Sequence, residues 1–384
     1  MYRFEAFHRD IPDTVSASLA EYLGYVPMGT SALDWVALIR SSSPQNHAIV
    51  IHGIYRGERF LGIAILSIVH GLEPARYFAR PLASLLRLCL RFEIGFLEIP
   101  LMNLPGLLTV PEVDPVERGA ILHDLRKHLR DTLKLDALLI NTDGSILPSR
   151  EAPCFADTIP LGFLPNAILP FPYRTLEEYW AARPGKKYRK FRADSRVLAQ
   201  QGGRVRIHTG ISTIAGRVFE LYRNTIRAAR KKPHHLEMPI SINADFFRNA
   251  FRFQRLSPRL ITVEIDDTIV ASALVFKSAN TLFLKAIGLD YELSVPSRAY
   301  FNLFYALLDH AAREHCNSIN FSITSYRFKQ WLGGELHPAA YAGDIHNPLL
   351  SLMGRPLAAL VARRIGTHGD DNPALAALRV HPER

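Results

Sequence analysis

Arg183 to Arg206 reads RPGKKYRKFRADSRVLAQQGGRVR, and it decides the fold when set beside Phe328 to Gly333, FKQWLG. The first stretch spells a basic helix, a glycine turn and the start of a strand. Lys186, Lys187, Arg189, Lys190 and Arg192 crowd five cations into seven residues, with Arg196 one turn later. At helical spacing Tyr188, Phe191 and Leu198 share an apolar stripe, which leaves Arg189, Arg192 and Arg196 on another face. The second stretch sets Lys329 between Phe328 and Trp331, just ahead of a glycine.

Between and before these segments the same order of elements occurs twice. In the first half, Ala48 to Gly53 and Arg59 to Val69 flank Arg56-Gly57 as a hairpin, and Phe92 to Ile99 is a strand. Asp114-Pro115 then supplies an N-cap and a first-turn proline for a helix to about Lys134, followed by a strand at Ala137 to Asn141. In the second half, Arg259 to Ile265 and Thr268 to Lys277 flank Asp266-Asp267, and Thr281 to Ile287 is a strand. Ser297 caps a helix from Arg298 to about His315, and Asn317 to Ile323 is the last strand. Helix start to strand start takes about 22 residues in the first half and about 20 in the second, the mark of a duplicated α/β unit.

The expected organisation is therefore a first domain over 1–147, a connector over 148–173, a second domain over 174–345, and a helix with a loose tail over 346–384. The connector carries Pro148, Pro153, Pro160, Pro165, Pro170 and Pro172, a density that favours extended backbone. Thr175 to Glu178 matches a capping box at the opening of the second domain.

Composition narrows the chemistry. The chain has 384 residues, 48% hydrophobic and 21% charged, enough to bury two cores and too apolar to be disordered. A net charge of +10 favours an acidic partner: nucleic acid, a phosphorylated or carboxylated small molecule, or an anionic membrane. Three widely spaced cysteines, Cys89, Cys154 and Cys316, give neither a disulfide framework nor metal spacing, and read as apolar fillers in a reducing compartment. The N-terminus, MYRFEAFHRD, lacks the apolar core of an export signal, so the expected location is cytoplasmic. No apolar run has transmembrane length. Leu82 to Leu101 is interrupted by Arg87, Arg91 and Glu93. The leucines and arginines of Pro348 to Ile365 suit a helix packed on its own domain, with peripheral contact to a membrane as the alternative.

Three segments carry a resemblance to a known family. Lys187 to Gly203, KYRKFRADSRVLAQQGG, resembles the arginine-studded helix of FemAB/FemX-type transferases, which ends in glycine before a strand. Phe283 to Tyr291, FLKAIGLDY, is similar to their strand ending in glycine and an acidic-aromatic pair, and FKQWLG is similar to their F-K-x-x-aromatic-G. These are tandem GNAT proteins, related also to BioF2-like acetyltransferase domains. The resemblance covers about Tyr173 to Ala342 and reaches the first half only through element order. It implies an α/β (α+β) fold of two tandem GNAT-like domains, each a mixed, mostly antiparallel sheet flanked by helices, with the first domain degenerate.

It also implies a function: transfer of an acetyl or aminoacyl group to an amine of a cell-envelope precursor, polysaccharide or small metabolite. The donor would be acyl-CoA or an aminoacyl-tRNA, with no metal. Lys329, with Phe328, would steady the acyl carbonyl oxygen as negative charge grows on it. Tyr305, or Tyr300 beside it, would protonate a leaving thiolate, with Glu264 a weaker candidate base. Arg189, Arg192, Arg196, Lys285, Arg298 and Trp331 would bind substrate, the arginines meeting phosphate or a tRNA end. One departure stands out: Asp290 to Arg298, DYELSVPSR, holds no glycine where coenzyme A-using relatives have a glycine-rich pyrophosphate loop. Two other readings compete, a nucleic-acid-binding module and a scaffold on a lapsed transferase. His234-His235 reads as loop rather than zinc site, and no Ser-His-Asp order or G-x-S-x-G supports a hydrolase.

Overall fold

The computed structural model describes residues 2–7, 31–42, 46–72, 91–142, 153–155, 157–183, 185–211, 213–231, 242–323 and 325–352. They divide into two compact units, one reaching Asn166 and resuming at Leu336, the other running from Ala167 to Glu335.

The first unit is a sheet with helices. Its elements are β1 (Arg3–Phe7), α1 (Ser31–Ser41), β2 (His47–Arg56), β3 (Arg59–Leu72), β4 (Phe92–Ile99), β5 (Leu104–Pro105), β6 (Leu107–Thr109), α2 (Pro115–Leu133) and β7 (Ala137–Asn141). Strand order is β1-β2-β3-β4-β7, with β4 and β7 parallel and the other neighbours antiparallel. Gly57, at φ 63, turns the β2–β3 hairpin as expected. Asp114 caps α2 by accepting the Glu117 amide at 2.7 Å, with Pro115 in the first turn. Leu125 and Leu129 of α2 are packed with Leu66, Leu97 and Leu138 in one core cluster.

The second unit repeats this order. Strand β8 (Ile159–Pro170) leads in, then come α3 (Leu176–Ala181), α4 (Lys186–Gln200), β9 (Arg204–His208), α5 (Ala215–Arg230) and α6 (Ala244–Ala250). There follow β10 (Arg259–Ile265), β11 (Thr268–Ser278), β12 (Thr281–Leu289), α7 (Tyr291–Ser294), α8 (Ala299–Arg313), β13 (Ser318–Asn320) and α9 (Tyr326–Trp331). Its strand order is β9-β10-β11-β12-β13-β8, again with one parallel pair, β12 and β13. Asp266 and Asp267 both adopt positive φ, 46° and 61°, as the tight β10–β11 turn requires. Thr175 accepts the Glu178 amide at 3.1 Å; the Glu178 carboxylate reaches back to the amide of Arg174 rather than Thr175.

Two boundaries differ from the sequence reading. The expected connector holds β8, whose Ile168, Leu169 and Pro170 lie in register with β13. Prolines disfavour helix; Pro160 and Pro170 fit the ends of this strand, where a missing N–H is tolerated, and Pro165 lies in its middle. The last strand, β14 (Glu335–Ile345), leaves the second unit and completes the first, pairing Tyr341 through Ile345 with β7. Ser297 does not cap α8. Its hydroxyl donates to the Leu293 carbonyl, and Arg298 holds the cap position at φ 59. The expected C-terminal helix is present as far as 352, and the tail beyond lies outside the described residues.

A buried ion pair fixes β14 to α2. Asp344 accepts Arg126 Nε at 3.0 Å and Arg130 Nη2 at 2.9 Å, and despite burial His346 and Arg126 hold its carboxyl far below the usual range. Removing one partner of such a pair strands the other charge. Asp344→Ala, which leaves the buried Arg126 guanidinium without a carboxylate, should therefore destabilise the protein by about 3–5 kcal/mol in denaturant titrations. A loss under about 1 kcal/mol, the level of an exposed pair, would contradict this role.

Candidate active site

The basic helix is held by one buried carboxylate. Gly185, at φ 81, starts α4, and the Gly202-Gly203 pair ends it. A Cβ on Gly203 would sit 2.2 Å from Leu198 Cδ1, so only glycine lets the chain turn into β9 there. Asp194, 5% exposed, accepts Lys190 Nζ at 2.7 Å and the Tyr305 hydroxyl at 2.8 Å. Its carbonyl accepts Asn302 Nδ2 at 3.2 Å. Phe191 stacks on Trp180 at 4.8 Å and meets the edge of Tyr305 at 5.0 Å. The inner stripe is thus Phe191, Asp194 and Leu198, while Tyr188, expected in it, is largely exposed. Arg189, Arg192 and Arg196 are exposed and carry no ion pair among the described residues, as their spacing implied.

Tyr305 is corrected by this geometry. Burial first, then Asp194, push its hydroxyl well above the usual phenol range. A hydroxyl that donates to a carboxylate and holds its proton this tightly is a poor acid for a leaving group, and it ties α4 to α8. Tyr300, pushed up to about 12 by burial, is no better an acid. Glu264 is engaged in ion pairs with Arg204 at 3.0 Å and Arg206 at 3.2 Å.

Lys329 lies on α9, 2% exposed, and donates Nζ to the carbonyls of Ile323 at 2.7 Å and Ser322 at 3.1 Å. A lysine ammonium has three donors, so one N–H remains beyond these two. Burial, helped by the charge of Lys285, lowers its pKa to about 7. Phe328 stacks on Trp331 at 5.4 Å and packs against Phe301 and Phe304 of α8. Trp331 also faces Lys187 Nζ, 5.9 Å from its ring. Gly333 has φ 96, and a Cβ there would meet Arg183 Nη2 at 2.9 Å. The Tyr179 hydroxyl closes the turn by donating to Leu332 O at 2.6 Å.

The sheet opens beside this lysine. Strands β12 and β13 pair only from Thr281–Ser318 to Phe283–Asn320. Beyond that, Phe321 N bonds Ala167 O and Ala167 N bonds Ser322 O, while β12 continues along β11 to Leu289. The strands part at their carboxyl ends, where open sheets take ligands. Lys285 sits there, at a bulge: Leu274 opposes Ala286 and Val275 opposes Leu284, leaving it as the extra residue. Arg298 is exposed at the start of α8. The structure thus gathers Lys285, Phe328, Lys329 and Trp331 around the opening, with Arg298 and α4 joined through Asn302.

The segment without glycine folds as α7. Its amides are internally engaged: Leu293 N to Asp290 Oδ1, Ser294 N to Asp290 O, Ser297 N to Leu293 O and Arg298 N to Val295 O. Sequence reasoning missed Asp194, the charged residue inside the basic run, although its i, i+4 spacing from Lys190 was a signal. In the first unit, the ends of β4 and β7 hold no such cation among the described residues. Glu98, Asn103, Asn141 and Tyr341 hydrogen-bond one another there. Nor do the described residues contain a group that could hold a metal; His234 and His235 lie outside them. Burial pushes the thiols of Cys154 and Cys316 up, as suits filler residues.

Comparison with known proteins identifies the fold. The family model "Acetyltransferase (GNAT) domain" matches residues 185–330. Among solved structures, FemX aligns over 91% of this chain and 99% of its own, with 11% identity and a TM-score of 0.57. A tandem GNAT protein from the clavulanic acid biosynthesis pathway aligns over 90% and 98%, with 12% identity and a TM-score of 0.51. L-PGS from Bacillus licheniformis gives 93% and 97%, 12% and 0.51. No curated protein matches by sequence.

Two measurements test the site. The Lys329 side-chain carbon resonances should titrate near pH 7 rather than near 10.5. Between those values the unfolded chain binds the extra proton, so the Lys329 contribution to stability should improve as pH rises through that window. A midpoint near 10 would show that the amine is not buried. Tyr305→Phe, which removes one hydrogen bond to a buried carboxylate, should cost about 1.5–3 kcal/mol in a denaturant melt.

Proposed function

We propose that this chain, a FemAB-like GNAT acyltransferase, moves an acyl or aminoacyl group onto an amine, with Lys329 as the group that meets the acyl carbonyl oxygen. The amine attacks the carbonyl carbon, negative charge collects on the oxygen, and the thiolate or alkoxide departs as the carbonyl re-forms, taking up the proton that the amine nitrogen loses. A dry, fixed cation beside that oxygen lowers the barrier because nothing must reorganise as the charge appears. The observation that carries the reading is Lys329 itself: buried, held by two backbone carbonyls, with an N–H left over, beside the parting of β12 and β13.

Phe328 and Trp331 anchor α9 by their aromatic contacts, and Lys285 adds positive charge at the bulge. The exposed arginines of α4 and Arg298 suit the phosphates of a donor or acceptor. The donor is the finer question. A coenzyme A pyrophosphate needs free backbone amides, and those of Asp290 to Arg298 are largely engaged within the segment. That favours an aminoacyl ester on tRNA over a thioester. The similarity to FemX accords with an acceptor amine on a cell-envelope precursor. A nucleic-acid-binding role alone leaves a buried, pKa-lowered lysine unexplained.

The test is donor turnover, as thiol release from acetyl-CoA and as deacylation of aminoacyl-tRNA, each with a panel of amines. Lys329→Ala should lower turnover by about 10²-fold or more with the fold intact. Because the cation is the active form, turnover should also decline as pH rises above about 7. Activity within twofold of wild type in Lys329→Ala would remove this lysine from the reaction.

A further inference from the structure

The turn that replaces the glycine loop is unusually apolar on its outside. Tyr291, Leu293 and Val295 are 42%, 44% and 59% exposed, three large apolar side chains within five residues. Burial elsewhere does not need them there: Ser294 and Ser297 face inward on the same segment, and Ser297 ties the turn by donating to Leu293 O at 2.6 Å. The turn is held firmly from below. Asp290 accepts Arg217 Nη2 at 3.0 Å, and Leu289 N donates to Thr225 Oγ1 at 3.0 Å. An apolar tip on a rigid base is what an inserting loop needs, since little ordering remains to be done on contact.

The surroundings are cationic. Arg298 follows three residues after Val295 and is exposed. Asn302 bonds both the Arg298 carbonyl and the Asp194 carbonyl, which brings the α4 helix with exposed Arg192 and Arg196 to this end of α8. Thr225, beneath the tip, lies on α5, whose last turn carries exposed Arg227 and Arg230. Against these stand Asp290 and Glu220, which share Arg217, and Glu292, an exposed carboxylate on the tip. Phosphates alone would be met by the arginines and leave Leu293 and Val295 without purpose; apolar tip and cationic ring together match a bilayer with anionic headgroups.

We infer that Tyr291, Leu293 and Val295 form a docking tip that inserts into the surface of an anionic membrane, with Arg298 and the arginines of α4 and α5 resting on its headgroups. The inference stands independently of the chemistry at Lys329. The test is co-sedimentation of the full chain with vesicles of phosphatidylcholine and with vesicles of equal parts phosphatidylcholine and phosphatidylglycerol, at low and high salt. Wild type should bind the anionic vesicles at least about tenfold more tightly than the neutral ones, and salt should weaken that binding. The double variant Leu293→Ser with Val295→Ser should lose about tenfold while keeping the wild-type melting temperature, because both side chains are exposed. Glu292→Gln should bind about fivefold more tightly, since it removes the opposing charge. Equal sedimentation of wild type and the double variant would overturn the inference. So would failure to bind either vesicle, or a double variant that loses affinity for bulk tRNA instead, which would assign the surface to nucleic acid.

Discussion

The second unit depends on Asp194. A basic helix carrying Lys186, Lys187, Arg189, Arg192 and Arg196 repels itself, and few apolar residues hold it down. Asp194 offsets this by drawing Lys190 inward and by accepting the Tyr305 hydroxyl, while its carbonyl takes Asn302. These contacts lock α4 against α8 and so fix which arginines face solvent. They also set the aromatic knot of Trp180, Phe191 and Tyr305, which continues through Trp331 and Phe328 to Lys329. A buried carboxylate is costly to desolvate, and here two donors, one cationic and one neutral, make it tolerable.

From that frame the chemistry follows in a short chain of causes. Packing of Phe328 on α8 buries the root of Lys329, burial depresses its pKa, and two loop carbonyls aim its nitrogen. The parting of β12 from β13 then leaves this parallel pair open at its carboxyl end. The first unit has the same strand order but a different end: a glutamate, two asparagines and a tyrosine satisfy one another there. Duplicated folds with one charged and one self-satisfied opening divide the work unequally, which is why the reading rests on Lys329.

Much of this was legible in the sequence, for reasons that are local. The hairpin at Asp266-Asp267, the cap at Asp114, and the glycines at 203 and 333 each answer a backbone need visible within a few residues. Lys329 stood out in the sequence because two aromatic neighbours and a glycine travel with it. What was not legible was long-range. Tyr305 looked like an acid because its partner, Asp194, lies 111 residues away. Strand β14 looked like part of the second unit because its partner β7 lies about 200 residues back. The connector looked like a linker because its prolines disfavour helix, yet Pro160, Pro165 and Pro170 all lie within β8.

The central claim is the place of the reaction, and hydrogen exchange with and without a donor tests it most directly. With acetyl-CoA or a 3′-aminoacyl adenosine as the probe, at least one should slow exchange of the amides of 284–288 and 321–323, which border the opening. Protection confined to the first unit, or none with either probe, would contradict the account.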